Sequence, residues 1–209
     1  MNVKAFGTSA IRDAKNSQVF LDKLSIDLGL DVEVITGARE AELIYEGVKI
    51  GYPFDQPALI MDIGGGSTEF IFANKEGVLK SKSFNIGTAR IYQKFEFSDP
   101  YTAEDVKKVV NYLENHTATF FDGLDSAILI GASGSFETFY AVLNQKEYPE
   151  DNFEHMDASN LIVVLNDMIY SSLNERMNNP FIIPIRKNMS HIEAKQKRRS
   201  IQKQKIKKI

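Results

Sequence analysis

The pattern of apolar and polar residues divides the chain into two blocks of strands and helices. In the first block, residues 3–6 form a short apolar run, residues 10–28 have helical spacing, and Gly29 follows as a helix-ending residue. Residues 32–35 alternate apolar and acidic positions, and residues 39–50 return to helical spacing. The order strand, helix, strand, helix predicts an α/β fold.

The second block begins after Pro57 with an apolar run that ends in three glycines. Residues 58–63, 68–73 and 78–85 predict three consecutive strands joined by tight turns. The pattern then predicts, in order, a helix over 102–121 capped by Thr102, a buried strand over 126–130, and helices over 136–143 and 157–177.

From residue 188 onward the apolar periodicity is lost, and the composition favours a solvated helix or a disordered end. Residues 186–209 carry ten Lys or Arg and one acid, Glu193, which gives this tail +9 and the rest of the chain −12. We interpret the tail as unrelated or out-of-frame sequence, which would leave the second block without its last core elements. The alternative is a polyanion-binding arm, although the absence of aromatic residues after residue 188 gives no support for base stacking.

The composition excludes several classes of protein. Of the 209 residues, 43% are hydrophobic, which is enough for a packed core. The chain has no cysteine, so disulfides and thiolate metal sites are excluded. No signal pattern or long apolar run is seen, so we expect a cytoplasmic protein without a membrane partner.

The sharpest chemical feature is the segment Asp62-Ile63-Gly64-Gly65-Gly66-Ser67-Thr68-Glu69. Three consecutive glycines between two strands leave backbone amides unshielded and are free to adopt positive φ, so that the loop can wrap a phosphate. Ser67 adds a hydroxyl donor, and the flanking Asp62 and Glu69 could hold a divalent cation. The alternative is a flexible hairpin without a ligand.

Three further features are weaker when taken alone. The loop from Gly131 to Ser135 precedes a helix, whose N-terminus can bind an anion, but a packing turn would have the same residues. Arg12 follows two hydroxyl residues and could grip a phosphate, or could be a solvated side chain. Glu40 lies near a helix start, where a carboxylate is favoured by the helix dipole in any case.

Together these segments resemble the exopolyphosphatase and guanosine pentaphosphate phosphohydrolase family. The motifs occur in the family's order over about residues 3–142. They are Gly-Thr-Ser-Ala-Ile-Arg-Asp-Ala-Lys-Asn at 7–16, Glu-Val-Ile-Thr-Gly-Ala-Arg-Glu-Ala-Glu-Leu-Ile-Tyr-Glu-Gly-Val at 33–48, Asp-Ile-Gly-Gly-Gly-Ser-Thr-Glu at 62–69, Asn-Ile-Gly-Thr-Ala-Arg at 85–90 and Gly-Ala-Ser-Gly-Ser at 131–135.

The resemblance implies a fragment of the two-domain actin-like fold, a ribonuclease H-like architecture shared with sugar kinases and Hsp70-type ATPases. We expect residues 1–55 to form part of the first α/β domain, residues 56–187 the core of the second, and residues 188–209 a basic tail outside the family. The family's opening phosphate hairpin has no counterpart before Gly7, so we expect a chain truncated at both ends.

The resemblance also assigns roles to residues. Glu40 matches the general base that activates water, although Arg39 stands where family members commonly have another acid. Asp62 and Glu69 match acids near a metal, which in the family is usually Mg2+. The implied phosphate-binding residues are Arg12, Gly64, Gly65, Gly66, Ser67, Gly131, Ser133 and Gly134.

The implied function is hydrolysis of a terminal phosphoanhydride bond of inorganic polyphosphate or of a guanosine polyphosphate such as guanosine pentaphosphate. The alternative is an inactive fragment that binds phosphate chains or nucleotides. A nucleotide-binding kinase relative is disfavoured, because such proteins need two phosphate hairpins to clamp the nucleotide. Nucleic acid is not expected as a partner, and a homodimer is left open.

Overall fold

The structure is a computed structural model that describes residues 3–149 and 153–209. Two short strands, β1 (Ala5–Gly7) and β2 (Val32–Val34), pair in parallel near the N-terminus. The helices α1 (Ser9–Arg12) and α2 (Ser17–Leu28) connect them, so the single helix predicted over residues 10–28 is interrupted. The interruption occurs because the amides of Ala14 and Ser17 bond only three residues back. Gly29 ends α2 in the left-handed conformation, as predicted.

A four-stranded sheet forms the centre of the molecule. Its strands are β3 (Ala58–Ile63), β4 (Thr68–Asn74), β5 (Gly77–Phe84) and β6 (Leu129–Gly131), in the order β5-β4-β3-β6. The strands β3, β4 and β5 form the predicted antiparallel meander, and β6 pairs in parallel with β3. The loop of three glycines therefore lies at the β3–β4 turn.

One helix, α3 (Gly37–Gly51), covers one face of this sheet. Because strand residues alternate between faces, Ala58 and Ile60 pack on the side of α3, whereas Leu59 and Met61 belong to the core on the other side. Residues before and after position 55, where the sequence suggested a domain boundary, thus pack into one hydrophobic core between α3 and the sheet. The division of the chain into two domains stays a prediction.

The other face of the sheet is covered by helices from the C-terminal half. The core on this face includes residues of α5 (Ala103–Thr117), α6 (Gly134–Asn144), α7 (Ala158–Tyr170) and α9 (Ser190–Gln204), and the short α4 (Thr88–Lys94) precedes them. Another helix, α8 (Leu173–Asn178), follows α7. Thr102 caps α5 through a capping box with Asp105, as its sequence indicated. The helix predicted over 157–177 is divided, because Ser172 caps a new helix. Within the two described ranges, every helix is too short or too polar to cross a membrane.

The expectation of a solvated or disordered end after residue 188 is wrong. The helix α9 lies inside the core, where Ile192 and Ile201 are buried against residues of the C-terminal helices. Beyond α9, the backbone of Lys208 bonds to Ala127 and Leu129 and so extends the sheet edge next to β6. The tail supplies the last core elements that the charge pattern suggested were missing.

Candidate active site

The start of α3 is fixed against β5 by a cap and a glycine. The hydroxyl of Thr36 accepts the amide of Arg39 at 3.2 Å and thereby caps the helix. A Cβ on Gly37 would lie 2.5 Å from the Cβ of Ser83, so only glycine allows the first turn to come this close to β5. This approach brings Glu40, in the first turn of α3, towards the central sheet.

A cleft of about 410 Å³ is lined by Asp13, which is paired with Arg90, and by three further carboxylates from three elements. Asp62 on β3 and Glu69 on β4 face each other in the strand register, and Glu40 comes from α3. Ser83 Oγ donates a hydrogen bond of 2.6 Å to Glu69 Oε1, so the residue that contacts Gly37 also orients Glu69.

Burial raises the pKa of all three carboxyls. Desolvation is the largest cause in each case, and mutual repulsion adds to it: Glu69 acts on Glu40, Glu40 on Asp62, and Asp62 on Glu69. The pKa of Asp62 rises to about 6, although a hydrogen bond from Ser133 lowers it. The raised pKa values thus report mainly burial, and the smaller contribution from repulsion between the carboxylates is one that a bound cation would relieve.

This donor set fits a divalent cation that also takes ligands from a substrate. Across residues 3–149 and 153–209, no group of three or more acidic or histidine side chains has the arrangement of a complete metal site. Mg2+ is commonly held by one or two carboxylates together with phosphate oxygens and water. Asp62 and Glu69 meet that requirement, since they are paired across β3 and β4 and line the same cleft.

The glycine loop presents a row of unpaired amides. The amide of Gly64 closes the turn on the carbonyl of Ser67 at 3.0 Å. The carbonyls of Gly64, Gly65 and Gly66 each accept an amide from residues 87–90, at distances of 3.0 to 3.2 Å. Each of these carbonyls shares a peptide group with the amide of the following residue, and in a planar trans peptide the N–H points opposite to the C=O. The amides of Gly65, Gly66 and Ser67 therefore point away from residues 87–90. In the described parts of the chain, the amides of Gly65, Gly66 and Ser67 have no acceptor.

None of the three loop glycines has positive φ, and Gly66 is required for space instead, which corrects the reason given by the sequence. Among the described glycines, only Gly29, Gly77 and Gly123 have positive φ. A Cβ on Gly66 would lie 2.5 Å from Ser9 Oγ, because the loop packs directly on the start of α1. Gly65, by contrast, has only an ordinary contact of 3.7 Å to Ala89 Cβ.

Arg12 contacts Glu40 and is not among the described residues that line the cleft. Its Nη1 donates to the carbonyl of Ile35 at 2.7 Å and to Glu40 Oε2 at 3.5 Å. Arg12 therefore ties the end of β2 to the first turn of α3 and lowers the pKa of Glu40 against the larger effect of burial. Its role as a phosphate ligand stays a prediction.

The loop from Gly131 to Ser135 adjoins Asp62 but lines a different cleft. Ser133 Oγ accepts the amide of Ile63 at 3.3 Å, and Gly131 and Ser133 line a cleft of about 360 Å³. A Cβ on Gly131 would lie 2.1 Å from the ring of Phe136, so this glycine has a packing reason. The predicted phosphate role of Gly131, Ser133 and Gly134 stays a prediction.

Arg90 is a cleft residue to which the sequence gave no role. Its Nε donates to the carbonyl of Gly66 at 2.9 Å, and its Nη2 donates to Asp13 Oδ2 at 2.6 Å. Arg90 thereby joins the glycine loop to the residues that follow α1. The available signal was its place at the end of the 85–90 motif, two residues after Thr88.

Comparison with known proteins gives a consistent result. A family model described as the Ppx/GppA phosphatase family matches residues 1–176. The chain is 32% identical over 145 residues to a guanosine-5'-triphosphate,3'-diphosphate pyrophosphatase of Photobacterium profundum, covering 68% of this chain and 29% of that protein. It is 40% identical over 114 residues to exopolyphosphatase 2 of Mycobacterium tuberculosis, covering 50% of this chain and 34% of that protein. The matched segments are thus about a third of these two relatives.

A solved structure extends the similarity to the fold. The crystal structure of an exopolyphosphatase from Cytophaga hutchinsonii matches with a TM-score of 0.95 at 32% identity. The match covers 100% of this chain and 70% of that one. The resemblance drawn from the motifs and the expected fold class are both confirmed.

Proposed function

Because the chain belongs to the Ppx/GppA phosphatase family, we propose that its cleft binds the end of a phosphoanhydride chain and hydrolyses the terminal bond. The names of the two curated relatives make inorganic polyphosphate and a guanosine polyphosphate the candidate substrates. The supporting observation is that three unpaired amides and three carboxylates line the same cleft. Because the chain spans about a third of these relatives, its own turnover is part of the proposal.

The glycine loop would bind the terminal phosphate. The amides of Gly65, Gly66 and Ser67 are consecutive donors, and phosphoryl transfer depends mainly on positioning and on neutralising phosphate charge. The guanidinium of Arg90 lies in the same cleft, where it is paired with Asp13. Its bond to the Gly66 carbonyl also holds the loop in place before the ligand arrives.

Glu40 would act as the general base. Burial raises its pKa from the usual value, which strengthens the carboxylate as a proton acceptor, and the hydrogen bond from Arg12 limits its rotation. A water held by Glu40 would transfer a proton to this carboxylate as its oxygen attacks the terminal phosphorus. The bond from that phosphorus to the bridging oxygen would break, and the shortened phosphate chain would leave with this oxygen and the electron pair of the bond.

Asp62 and Glu69 would hold Mg2+ together with phosphate oxygens. The bound ion would neutralise charge on the phosphate chain. Without it, repulsion between these carboxylates and phosphate opposes binding, so we expect the affinity for polyphosphate to depend on Mg2+.

Phosphate release from inorganic polyphosphate and from guanosine pentaphosphate, measured with Mg2+, tests this function. The change Glu40→Gln should reduce turnover by about 10²–10⁴ while substrate binding persists. Glu42→Gln is the matched control, since Glu42 lies on the same helix but is exposed and paired with Arg39. Equal turnover in wild type and Glu40→Gln would refute the role of Glu40. Binding without phosphate release in the wild type would identify a non-catalytic binding fragment.

A further inference from the structure

Lys197 on α9 is completely buried, and its polar contact is a hydroxyl rather than a carboxylate. Its Nζ lies 2.8 Å from Ser135 Oγ and sits over the rings of Phe136 and Phe139, 4.3 and 4.6 Å from their centroids. Within residues 3–149 and 153–209, no carboxylate oxygen lies within 4.0 Å of this ammonium. The cation is therefore directed at the loop that starts α6.

From Lys197 a chain of hydrogen bonds leads to the amide of Ile63, the residue after Asp62 on β3. Ser135 Oγ lies 2.9 Å from Ser133 Oγ, which accepts the amide of Ile63 at 3.3 Å, and Ser133 also lowers the pKa of the Asp62 carboxyl. When Lys197 is protonated it can only donate, so Ser135 accepts from Lys197 and is free to donate to Ser133. Ser133 then receives donors from Ser135 and from Ile63, which leaves its own proton available to the Asp62 carboxylate.

We propose that Lys197 is a positioning residue that fixes the direction of this hydrogen-bond chain and so holds the Asp62 carboxylate in place at the edge of the cleft. The proposal rests on the function proposed above for Asp62. Without the ammonium, Ser135 can rotate, Ser133 can reverse its donor, and Asp62 loses its fixed partner. The contact thus joins the C-terminal helix to the candidate site.

Packing alone does not explain a lysine here. Phe136 and Phe139 surround the side chain with apolar surface, and a buried cation without an ion pair costs more than an apolar side chain of similar length. Lys197→Met keeps the unbranched shape and removes the charge. A role in stability alone predicts an unchanged site in this variant, whereas a positioning role predicts a damaged site in a protein that is no less stable.

The first measurement is calorimetric binding of inorganic tripolyphosphate with Mg2+ to the full chain. Lys197→Met should weaken binding roughly tenfold, with a melting temperature equal to or above that of the wild type. Lys195→Met is the matched control, because Lys195 is a buried cation on the same helix and makes no hydrogen bond to the loop among the described residues. This control should bind tripolyphosphate as the wild type does.

The second measurement needs no ligand. Amide hydrogen exchange of Ile63 reports on its bond to Ser133, and it should become several-fold faster in Lys197→Met but not in Lys195→Met. Ser135→Ala breaks the chain in the middle and should have the same effect, which keeps the test decisive if Lys197→Met does not fold. Unchanged Ile63 exchange in either variant would overturn the proposal. If Ile63 exchanges faster in these variants but the wild type does not bind tripolyphosphate, the positioning role is supported and the proposed function is refuted.

Discussion

Gly65 offers a clean perturbation of the glycine loop, because it is the position with room for a methyl group. A Cβ there lies 3.7 Å from Ala89 Cβ and requires no unusual φ, so Gly65→Ala should leave the free energy of unfolding within about 0.5 kcal/mol of the wild type. The new methyl would lie at the cleft wall beside Ala89, among the amides that we assign to phosphate.

The expected effect on binding follows from those amides. A hydrogen bond to a charged group contributes about 1.5–3 kcal/mol, so losing one amide contact should weaken phosphate binding roughly ten- to hundredfold. Titration calorimetry with tripolyphosphate and Mg2+ measures the affinity, and urea unfolding measures the stability.

Gly47→Ala is the matched control for Gly65→Ala. Gly47 lies in α3 with no atom within 4 Å of an added Cβ, so this change should stabilise the helix and leave binding unaltered. Wild-type affinity in a folded Gly65→Ala protein would show that the loop amides do not contact the anion.

Three further outcomes are expected. Burial lowers the pKa of Lys195 to about 8, and the neighbouring Arg198 and Arg199 lower it further. Burial also lowers the pKa of Lys197 to about 7, where Arg186 adds to the decrease and Glu193 and Asp62 oppose it. Between pH 8 and 10 the unfolded chain therefore binds more protons than the folded chain, so the free energy of unfolding should rise with pH. In urea unfolding the rise should reach up to about 1.4 kcal/mol per pH unit for each lysine. A free energy of unfolding that does not change with pH would contradict the burial of these lysines. Gly87→Ala would place a Cβ 2.4 Å from the Gly65 backbone, so it should cost about 1–3 kcal/mol or more in the same assay, and wild-type stability would refute this contact. Removal of residues 188–209 should abolish cooperative thermal unfolding in calorimetry, because it deletes a buried core helix; a sharp transition in the shortened chain would show that α9 is dispensable.

Local signals were sufficient for the sheet and for much of the candidate site. The meander of β3, β4 and β5 follows from alternation and turn glycines, and the Thr102 cap follows from its spacing to Asp105. Asp62 and Glu69 follow from their places beside a glycine turn, whereas the role of Glu40 follows from the family resemblance, and the structure brings all three to one cleft.

What the sequence could not predict depends on contacts between distant segments. A basic helix normally indicates a solvated surface, but α9 packs Ile192 and Ile201 into the core, and Lys197 is buried with them against two aromatic rings and a hydroxyl. The need for glycine at position 66 arises from Ser9, which lies far away along the chain. Neither contact leaves a periodic signal in the sequence.

The position of α9 also has a consequence for the rate of folding. Gln196 donates to the carbonyl of Ile86, 110 residues away in sequence, and Ile63 bonds to Ser133 across 70 residues. Such contacts form only after long loops have closed, and folding rates fall as the mean sequence separation of contacts increases. The β3–β5 meander can form early from local pairing. The face of this meander that packs against the C-terminal helices stays exposed until α9 docks. Refolding should therefore pass through a period in which apolar surface is open to aggregation, and this period should end with the docking of α9.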